Sequence, residues 1–263
     1  MTSSIELKSV SQSFASNSSG SLGHKNSTSE NTTNKNKAST ITLFKNLDLT
    51  INQGQSYAIT GPSGAGKSSL LMLLSGLEKP SSGHGHYLND KHTSTLDNLR
   101  SDIGFIFQQF HLLPELTALH NIALPLKLRG DKQAISKAKQ WLEKVGLSDR
   151  ADHKPSQLSG GEQQRVAIAR ALVFSPKFIF ADEPTGNLDQ HNANEISDIL
   201  FACCQENNAA LIIVTHSNAL ASKAQNIYSL ADGELTKTSS INPTEEQDIT
   251  KYLSTEEQRV ASC

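Results

Sequence analysis

Three glycines, one lysine and three serines stand together in GPSGAGKSS, residues 61–69, just before a run of leucines. The spacing Gly61-x-x-x-x-Gly66-Lys67-Ser68 is typical of a loop that binds nucleotide phosphates. Glycines let the backbone turn tightly and bring its N–H groups close to an anion, and the start of the following helix favours negative charge. We therefore predict a phosphate-binding loop made of Gly61, Pro62, Ser63, Gly64, Ala65, Gly66, Lys67, Ser68 and Ser69.

The side chains at the end of this loop have distinct predicted roles. Lys67 should reach the β- and γ-phosphates, Ser68 should bind Mg²⁺, and Ser69 should help to hold the α- and β-phosphates. The spacing also arises by chance, and alone it does not define the class of nucleotide hydrolase. An apolar strand before the loop and a leucine-rich helix after it favour the functional interpretation.

Two carboxylates end a second apolar strand in KFIFADEPT, residues 177–185. Ligands of open parallel sheets bind outside the carboxyl ends of the strands, so this strand end is expected beside the phosphate loop. Asp182 is predicted to bind Mg²⁺ through water, and Glu183 is predicted to orient and polarise the attacking water. The structural alternative is a pair of carboxylates that cap an ordinary turn.

Short apolar strands alternate with amphipathic helices along most of the chain. Strands are predicted at 55–60, 103–107, 178–181, 210–214 and 227–231, and helices at 66–77, 131–146, 162–173 and 194–205. Strands without polar alternation, separated by helices, predict an α/β fold with a parallel sheet that is covered on both faces.

Two segments are predicted to lie outside the folded core. Residues 15–40 are rich in serine, threonine and asparagine and almost free of large apolar groups. Such a segment cannot offset its ordering entropy, so a disordered insertion is predicted there. The polar, acidic residues 239–263 are predicted to form a mobile tail.

The overall composition narrows the function classes. With 24 basic and 26 acidic residues, the net charge of −2 gives no broad electrostatic case for binding nucleic acid or anionic lipid. The first residues lack a secretory signal, and no apolar run is long enough to span a bilayer. Three cysteines without metal or disulfide spacing indicate reduced thiols in the cytosol. The scattered His84, His86 and His92 predict no transition-metal site.

A third candidate site lies in QLSGGEQQR, residues 157–165. Ser159 and Glu162 have the spacing of a capping box at a helix start. Gly160 and Gly161 leave backbone N–H groups open to an anion. With this segment the chain resembles ATP-binding cassette (ABC) proteins almost end to end.

The resemblance covers about residues 5–15 and 41–236 and implies an architecture. The fold class is then a P-loop nucleoside triphosphatase with a RecA-like parallel sheet core, an antiparallel β subdomain and an ABC helical subdomain. It implies a single ATPase domain over residues 1–238, with the helical subdomain at about 109–165.

The resemblance also implies that two copies of the chain work together. In ABC ATPases two subunits pack head to tail around ATP and Mg²⁺. Ser159, Gly160 and Gly161 of one subunit would then close on the γ-phosphate that is held by the phosphate loop of the other.

Four further residues match positions that the family uses. Gln108 in FIFQQF would bind and sense Mg²⁺ and the attacking water, and Asp189 in GNLDQ would cross the dimer interface. His216 in IIVTHS would contact the γ-phosphate, although a histidine after a strand can be purely structural. Phe14 would stack on adenine, with the insertion placing more chain than usual between this residue and the phosphate loop.

Within the family, residues 107–126 and 180–189 are most similar to the lipoprotein-release and macrolide-export ATPases, including related bacterial exporter ATPases. This similarity implies separate integral membrane permease subunits as partners, a position on the cytoplasmic face of the inner membrane, and no nucleic acid. The permease would dock near Gln108 on a group of apolar side chains: Phe107, Phe110, Leu112, Leu113, Leu116 and Leu119. About half of these six are expected to pack inside the helical subdomain instead of contacting the permease.

Two other functions remain as alternatives. One is a cell-division type of ABC ATPase that transmits force to cell-wall hydrolases. The other is a soluble ABC ATPase acting on nucleic acid or ribosomes, which is disfavoured because the chain has one cassette and no coiled-coil or zinc insertion.

Overall fold

The computed structural model describes residues 3–16, 39–89 and 92–240. Its strands are β1 Ser4–Ser16, β2 Ser39–Asn52, β3 Ser56–Thr60, β4 Ser82–Asn89, β5 His92–Thr95, β6 Ile103–Ile106, β7 Phe178–Asp182, β8 Ala210–Val214, β9 Asn226–Ala231 and β10 Glu234–Ser240. Its α-helices are α1 Lys67–Leu74, α2 Ala118–Leu128, α3 Ala134–Lys144, α4 Gly160–Leu172, α5 Gln190–Glu206 and α6 Asn218–Ala221. Within these described residues, no helix combines the length and the apolar character needed to cross a membrane.

A six-stranded sheet in the order β10-β9-β3-β8-β7-β6 forms the centre of the fold. The strands from β9 to β6 run parallel, and β10 pairs antiparallel with β9 at one edge. Every strand predicted from an apolar run lies in this sheet, with its ends within one residue of the prediction. The predicted parallel core is confirmed.

Side chains of the central strands alternate between two apolar cores. Phe178 and Phe180 of β7 pack in one core with α1 and the antiparallel sheet. Ile179 packs in the other core with α4 and α5. Because both faces of the sheet are covered, its strands have continuous apolar sequences.

A second sheet, in the order β2-β1-β4-β5, is antiparallel and covers one face of the first. Bulges in β1 between Leu7 and Ser13 interrupt the two-residue alternation that would otherwise reveal a strand. In β4, a Cβ at Gly85 would overlap the side chain of Leu96. Leu96 therefore packs directly on the glycine, at a position where an apolar side chain would otherwise mark the strand. The antiparallel subdomain expected from the family resemblance is present.

The helices α2 and α3 pack with α4 into a helical unit. Its core includes Ile122 of α2, Leu142 of α3 and Val166 of α4. Ile168 of α4 packs on the central sheet instead. One helix therefore belongs to both units, and it continues to Leu172, beyond the predicted subdomain limit of about residue 165.

The strands extend into both segments that were predicted to lie outside the core. β1 and β2 remain paired as far as Ser16 and Ser39, so the predicted insertion is shorter by two residues at each end. β10 reaches Ser240, two residues into the predicted tail. Backbone pairing extends through these polar strand ends, which a search for apolar patterns misses. Residues 17–38 and 241–263 lie outside the described residues.

Candidate active site

The predicted phosphate loop joins β3 to α1, and two of its glycines occupy positions that exclude a side chain. Gly61 has a φ of 146°, and a Cβ there would overlap the carbonyl oxygen of Leu230 on β9. Gly66 has a φ of 91°, and its Cβ would lie 3.0 Å from the Cβ of Leu43 on β2. Residues with side chains rarely adopt such angles, so the path of the loop depends on both glycines.

The first turn of α1 opens into this loop. Gly66 caps the helix without a side-chain hydrogen bond, and the first turn contains no acidic residue. Helix-start N–H groups have no partner within the helix and favour an anion. The largely buried Lys67 Nζ donates to the carbonyl oxygens of Gly61 and Pro62, at 2.9 Å each. The loop thus combines uncapped N–H donors with an ammonium group.

Asp182 ends β7 beside Ser68 of α1. Burial raises the pKa of the Asp182 carboxyl and the charge of Glu183 adds to the rise, whereas the hydrogen bond with Ser68 and the charge of Lys67 lower this pKa. A hydroxyl and a partly buried carboxylate side by side suit the oxygen ligands that Mg²⁺ prefers. A cation there would also offset the cost of burying the carboxylate.

Glu183 follows in a turn with a φ of 46°, which is uncommon for a residue with a side chain. Its carboxylate accepts hydrogen bonds from the Thr215 hydroxyl at 3.1 Å and from the backbone N–H of His216 at 3.1 Å. The Nδ1 atom of His216 lies 2.8 Å from Oε1 of Glu183. The ends of β7 and β8 therefore bring together two predicted catalytic residues. The His216 side chain is 72% exposed and is therefore accessible to a ligand.

Gln108, just after β6, contacts the loop that follows Glu183. Its Nε2 donates to Oδ1 of Asn187 at 3.3 Å, and the Asn187 Nδ2 donates to the backbone oxygen of Gln108 at 2.9 Å. Asn187 was not predicted as a site residue. The two residues are 79 positions apart, so no local pattern joins them.

Arg170 of α4 holds the segment that continues from Gln108. Its guanidinium donates to the carbonyl oxygens of His111 at 2.7 Å and Phe110 at 2.9 Å. Burial lowers the pKa of Arg170, but a guanidinium still remains charged at neutral pH. Sequence reasoning placed Arg170 only on a helix, because contacts with carbonyls of a distant segment leave no sequence pattern.

The predicted capping box at the start of α4 is present. Ser159 Oγ accepts from the Glu162 N–H at 3.3 Å, and Glu162 Oε2 accepts from the Ser159 N–H at 2.8 Å. These bonds and the ion pair with Arg150 lower the pKa of Glu162. Gly161 packs against α5, where a Cβ would lie 3.1 Å from Oδ1 of Asn192.

Asp189 caps the start of α5. Its Oδ1 accepts from the Asn192 N–H at 3.0 Å, and hydrogen bonds with Asn192 lower the pKa of the Asp189 carboxyl. The residue is therefore also a helix cap, and its contact across a dimer interface stays a prediction.

Phe14 lies near the end of β1, opposite Ile41 of β2. Leu43, two residues further along β2, packs against Gly66 of the phosphate loop. The side chain of Phe14 is 45% exposed, which leaves a ring face open for stacking. Its adenine contact stays a prediction.

A loop with uncapped N–H donors and a lysine, beside carboxylates at parallel strand ends, defines a P-loop nucleoside triphosphatase. The ABC transporter family profile matches residues 44–186. LolD, the ATP-binding protein of the lipoprotein-releasing system, is 47% identical in Legionella pneumophila (strain Lens) over 206 residues, covering 75% of this chain and 90% of LolD. LolD of Saccharophagus degradans is 47% identical over 205 residues, with the same coverage of 75% and 90%.

Two solved structures of MJ0796, described as a bacterial ABC transporter cassette, have the same fold. The dimeric structure is 35% identical with a TM-score of 0.70, covering 90% of this chain and 100% of that one. The post-hydrolysis state bound to ADP and Pi is 34% identical with a TM-score of 0.69 and the same coverage of 90% and 100%. This chain belongs to the ABC transporter family, as an ATP-binding subunit that hydrolyses ATP. The predicted family, fold class and ATP ligand are confirmed.

Proposed function

We propose that this chain powers a bacterial lipoprotein-releasing type of transporter from the cytoplasmic face of the inner membrane. The observation that carries the proposal is the 47% identity with LolD over 90% of the length of that protein. Two copies would close head to tail on ATP, and hydrolysis would reopen them while a separate membrane permease responds to the change.

Magnesium would be held on the phosphate-loop side of this site. Ser68 and Asp182 supply a hydroxyl and a carboxylate oxygen, and Gln108 supplies an amide oxygen. The raised pKa of Asp182 supports this role, because a cation would favour its charged form. When bound, Mg²⁺ would neutralise charge on the phosphates during their transfer.

The residues around the γ-phosphate would divide the remaining work. Lys67 would turn from the loop carbonyls to the phosphates, and Glu183 would orient water, with its carboxylate aimed by Thr215 and His216. Ser159, Gly160 and Gly161 would meet the phosphate held by the other subunit.

The permease surface would be narrower than the sequence alone indicates. Leu119 is buried and Leu112 packs into the helical core. Leu113 is 42% exposed, while Phe107, Phe110 and Leu116 are partly exposed. We therefore expect Leu113 at the centre of the contact with the membrane subunit.

The Glu183→Gln variant, tagged and trapped with ATP, tests the partner. Detergent-solubilised membranes should yield a co-purifying permease, and release of membrane-anchored lipoprotein should stop in cells that express the variant. The Lys67→Ala/Glu183→Gln double variant is the matched control, because it cannot be trapped by ATP. Recovery of ribosomes or nucleic acid without a membrane protein would overturn the proposal, as would co-purification of a permease whose loss impairs cell division alone.

A further inference from the structure

Gln108 is held to the loop between Glu183 and Asp189 by two hydrogen bonds with one side chain. Asn187 Nδ2 donates to the backbone oxygen of Gln108 at 2.9 Å, and Gln108 Nε2 donates to Asn187 Oδ1 at 3.3 Å. The first bond holds the backbone of Gln108 and the second holds its side chain. Asn187 therefore restrains the whole residue.

These two bonds also decide which way each amide group points. A backbone carbonyl can only accept, so Asn187 must direct its nitrogen at Gln108 O and its oxygen at the Gln108 side chain. That oxygen can only accept, so Gln108 must direct its own nitrogen at Asn187. The oxygen of the Gln108 amide, the atom that can bind a hard cation, is then the end that Asn187 does not use.

The loop around Asn187 is shaped to receive Gln108. Gly186 N–H donates to the carbonyl oxygen of Glu183 at 3.0 Å, and Leu188 N–H donates to that of Thr185 at 3.1 Å, forming a compact turn. A Cβ at Gly186 would lie 3.1 Å from Gln108 Nε2, closer than most such contacts. The glycine thus makes room for the amide.

We propose that Asn187 is a positioning residue that orients the Gln108 amide so that its oxygen is ready for the metal of the nucleotide site. The inference rests on the proposed function, in which Gln108 binds Mg²⁺. Asn187 stands two residues before Asp189 and four after Glu183, so the same turn joins metal recognition to the predicted dimer contact and to the water-orienting carboxylate.

Equilibrium binding of a fluorescent ATP analogue, measured in Mg²⁺ and again in EDTA, tests this assignment. In the Asn187→Leu variant we expect the enhancement of affinity by Mg²⁺ to fall by about fivefold, while affinity in EDTA stays within about twofold of wild type. Asn98→Leu, on an exposed residue of the 3₁₀ turn Leu96–Ser101, is the matched control and should change neither value.

Two further measurements separate positioning from a merely structural role. Amide hydrogen exchange of residues 107–111 in the nucleotide-free protein should be faster in Asn187→Leu, because the backbone bond to Gln108 is lost. In a Gln108→Ala background, Asn187→Leu should cause no further loss of Mg²⁺ enhancement. Gly186→Ala should displace Gln108 without altering Asn187, and it should also reduce the Mg²⁺ enhancement of nucleotide affinity. This variant provides the test if Asn187→Leu does not fold.

Each outcome has a definite meaning. An unchanged Mg²⁺ enhancement in both Asn187→Leu and Gly186→Ala, or an equal loss with and without Gln108, would overturn the positioning role alone. If the wild-type protein itself gains no affinity from Mg²⁺, the proposed metal site fails and this inference fails with it.

Discussion

The starts of α1 and α4 both contain or follow glycines and are both predicted to meet phosphate, but they are built differently. The N-cap residue of α1 is the left-handed Gly66, with no side-chain cap and no acidic residue in the first turn. The N-cap residue of α4 is Ser159, which forms a reciprocal capping box with Glu162. One helix start lacks a cap of its own, and the other is capped by its own side chains.

This difference matches the proposed roles, in which α1 holds the nucleotide and α4 of the other subunit responds to it. Uncapped N–H groups are costly to leave unpaired, so the start of α1 gains most when an anion arrives. The start of α4 already has its cap, and its carboxylate opposes a second negative charge. In the proposed head-to-tail dimer, phosphate held on α1 of one subunit would be the fixed partner, and α4 of the other subunit would move toward it.

Among the variants that test this comparison, Lys67→Ala is expected to have the largest effect. Nucleotide affinity should fall by about a thousandfold, because charge-assisted hydrogen bonds to two phosphates, about 1.5–3 kcal/mol each, are lost. Calorimetric titration of the nucleotide measures the change, with the exposed Lys132→Ala as control. ATP affinity equal to wild type would show that α1 is not the principal phosphate site.

Glu183→Gln separates binding from turnover. The variant should bind ATP as wild type does, yet hydrolyse it about a hundredfold more slowly, because the amide cannot polarise the water. ATP should then accumulate a closed dimer, seen by size-exclusion chromatography with light scattering. Wild-type turnover in this variant would mean that another group acts on the water.

Glu162→Ala tests whether α4 is self-capped. Losing the capping box should lower the free energy of unfolding by about 1 kcal/mol without nucleotide, which corresponds to about 3 °C in the melting temperature. Ser69→Ala in the first turn of α1 is the matched control and should leave the nucleotide-free melting temperature within about 1 °C. Equal losses in the two variants would remove the contrast between the helix starts.

The smallest expected effect concerns the carboxyl group beside α1. Because burial raises the pKa of Asp182, the native protein binds this proton more tightly than the unfolded chain, and the charged form costs stability above that pKa. Asp182→Asn should therefore raise the nucleotide-free melting temperature by about 2 °C at pH 7 while weakening the Mg²⁺ enhancement of ATP binding.

The gain from Asp182→Asn should shrink as the pH falls and vanish below about 3.9, the ordinary pKa of an aspartate, where both states are protonated. Melting curves between pH 7 and pH 4 measure this dependence. A gain that is constant across this range would exclude the carboxyl group as its source.

Prediction from sequence succeeded where one segment carries its own pattern. The strands around Ile179 and Ile213 were predictable because both of their faces are buried. The glycine-dependent turn between β3 and α1 was predictable because its glycines and Lys67 are contiguous. The box of Ser159 and Glu162 was predictable because its partners lie one helical turn apart.

Prediction failed where bulges or distant partners decide the structure. In β1, three register shifts interrupt the alternation of inward and outward side chains by which a strand is recognised. Some contacts join residues from the ends of different strands. Thr215 and His216 orient Glu183, and Asn187 orients Gln108. Such contacts follow from the order of strands in the sheet, which no single segment encodes.

The hydrogen bonds from Arg170 to the carbonyl oxygens of Phe110 and His111 connect α4 mechanically to the segment after Gln108. α4 is a continuous helix of 13 residues, about 20 Å long, with the glycines at one end and Arg170 near the other. Because the helix is uninterrupted, a tilt imposed at Gly160 would be transmitted along it to Arg170. Under the proposed function, the helix would work as a lever that converts closure on the other subunit's nucleotide into displacement of the surface beside Leu113.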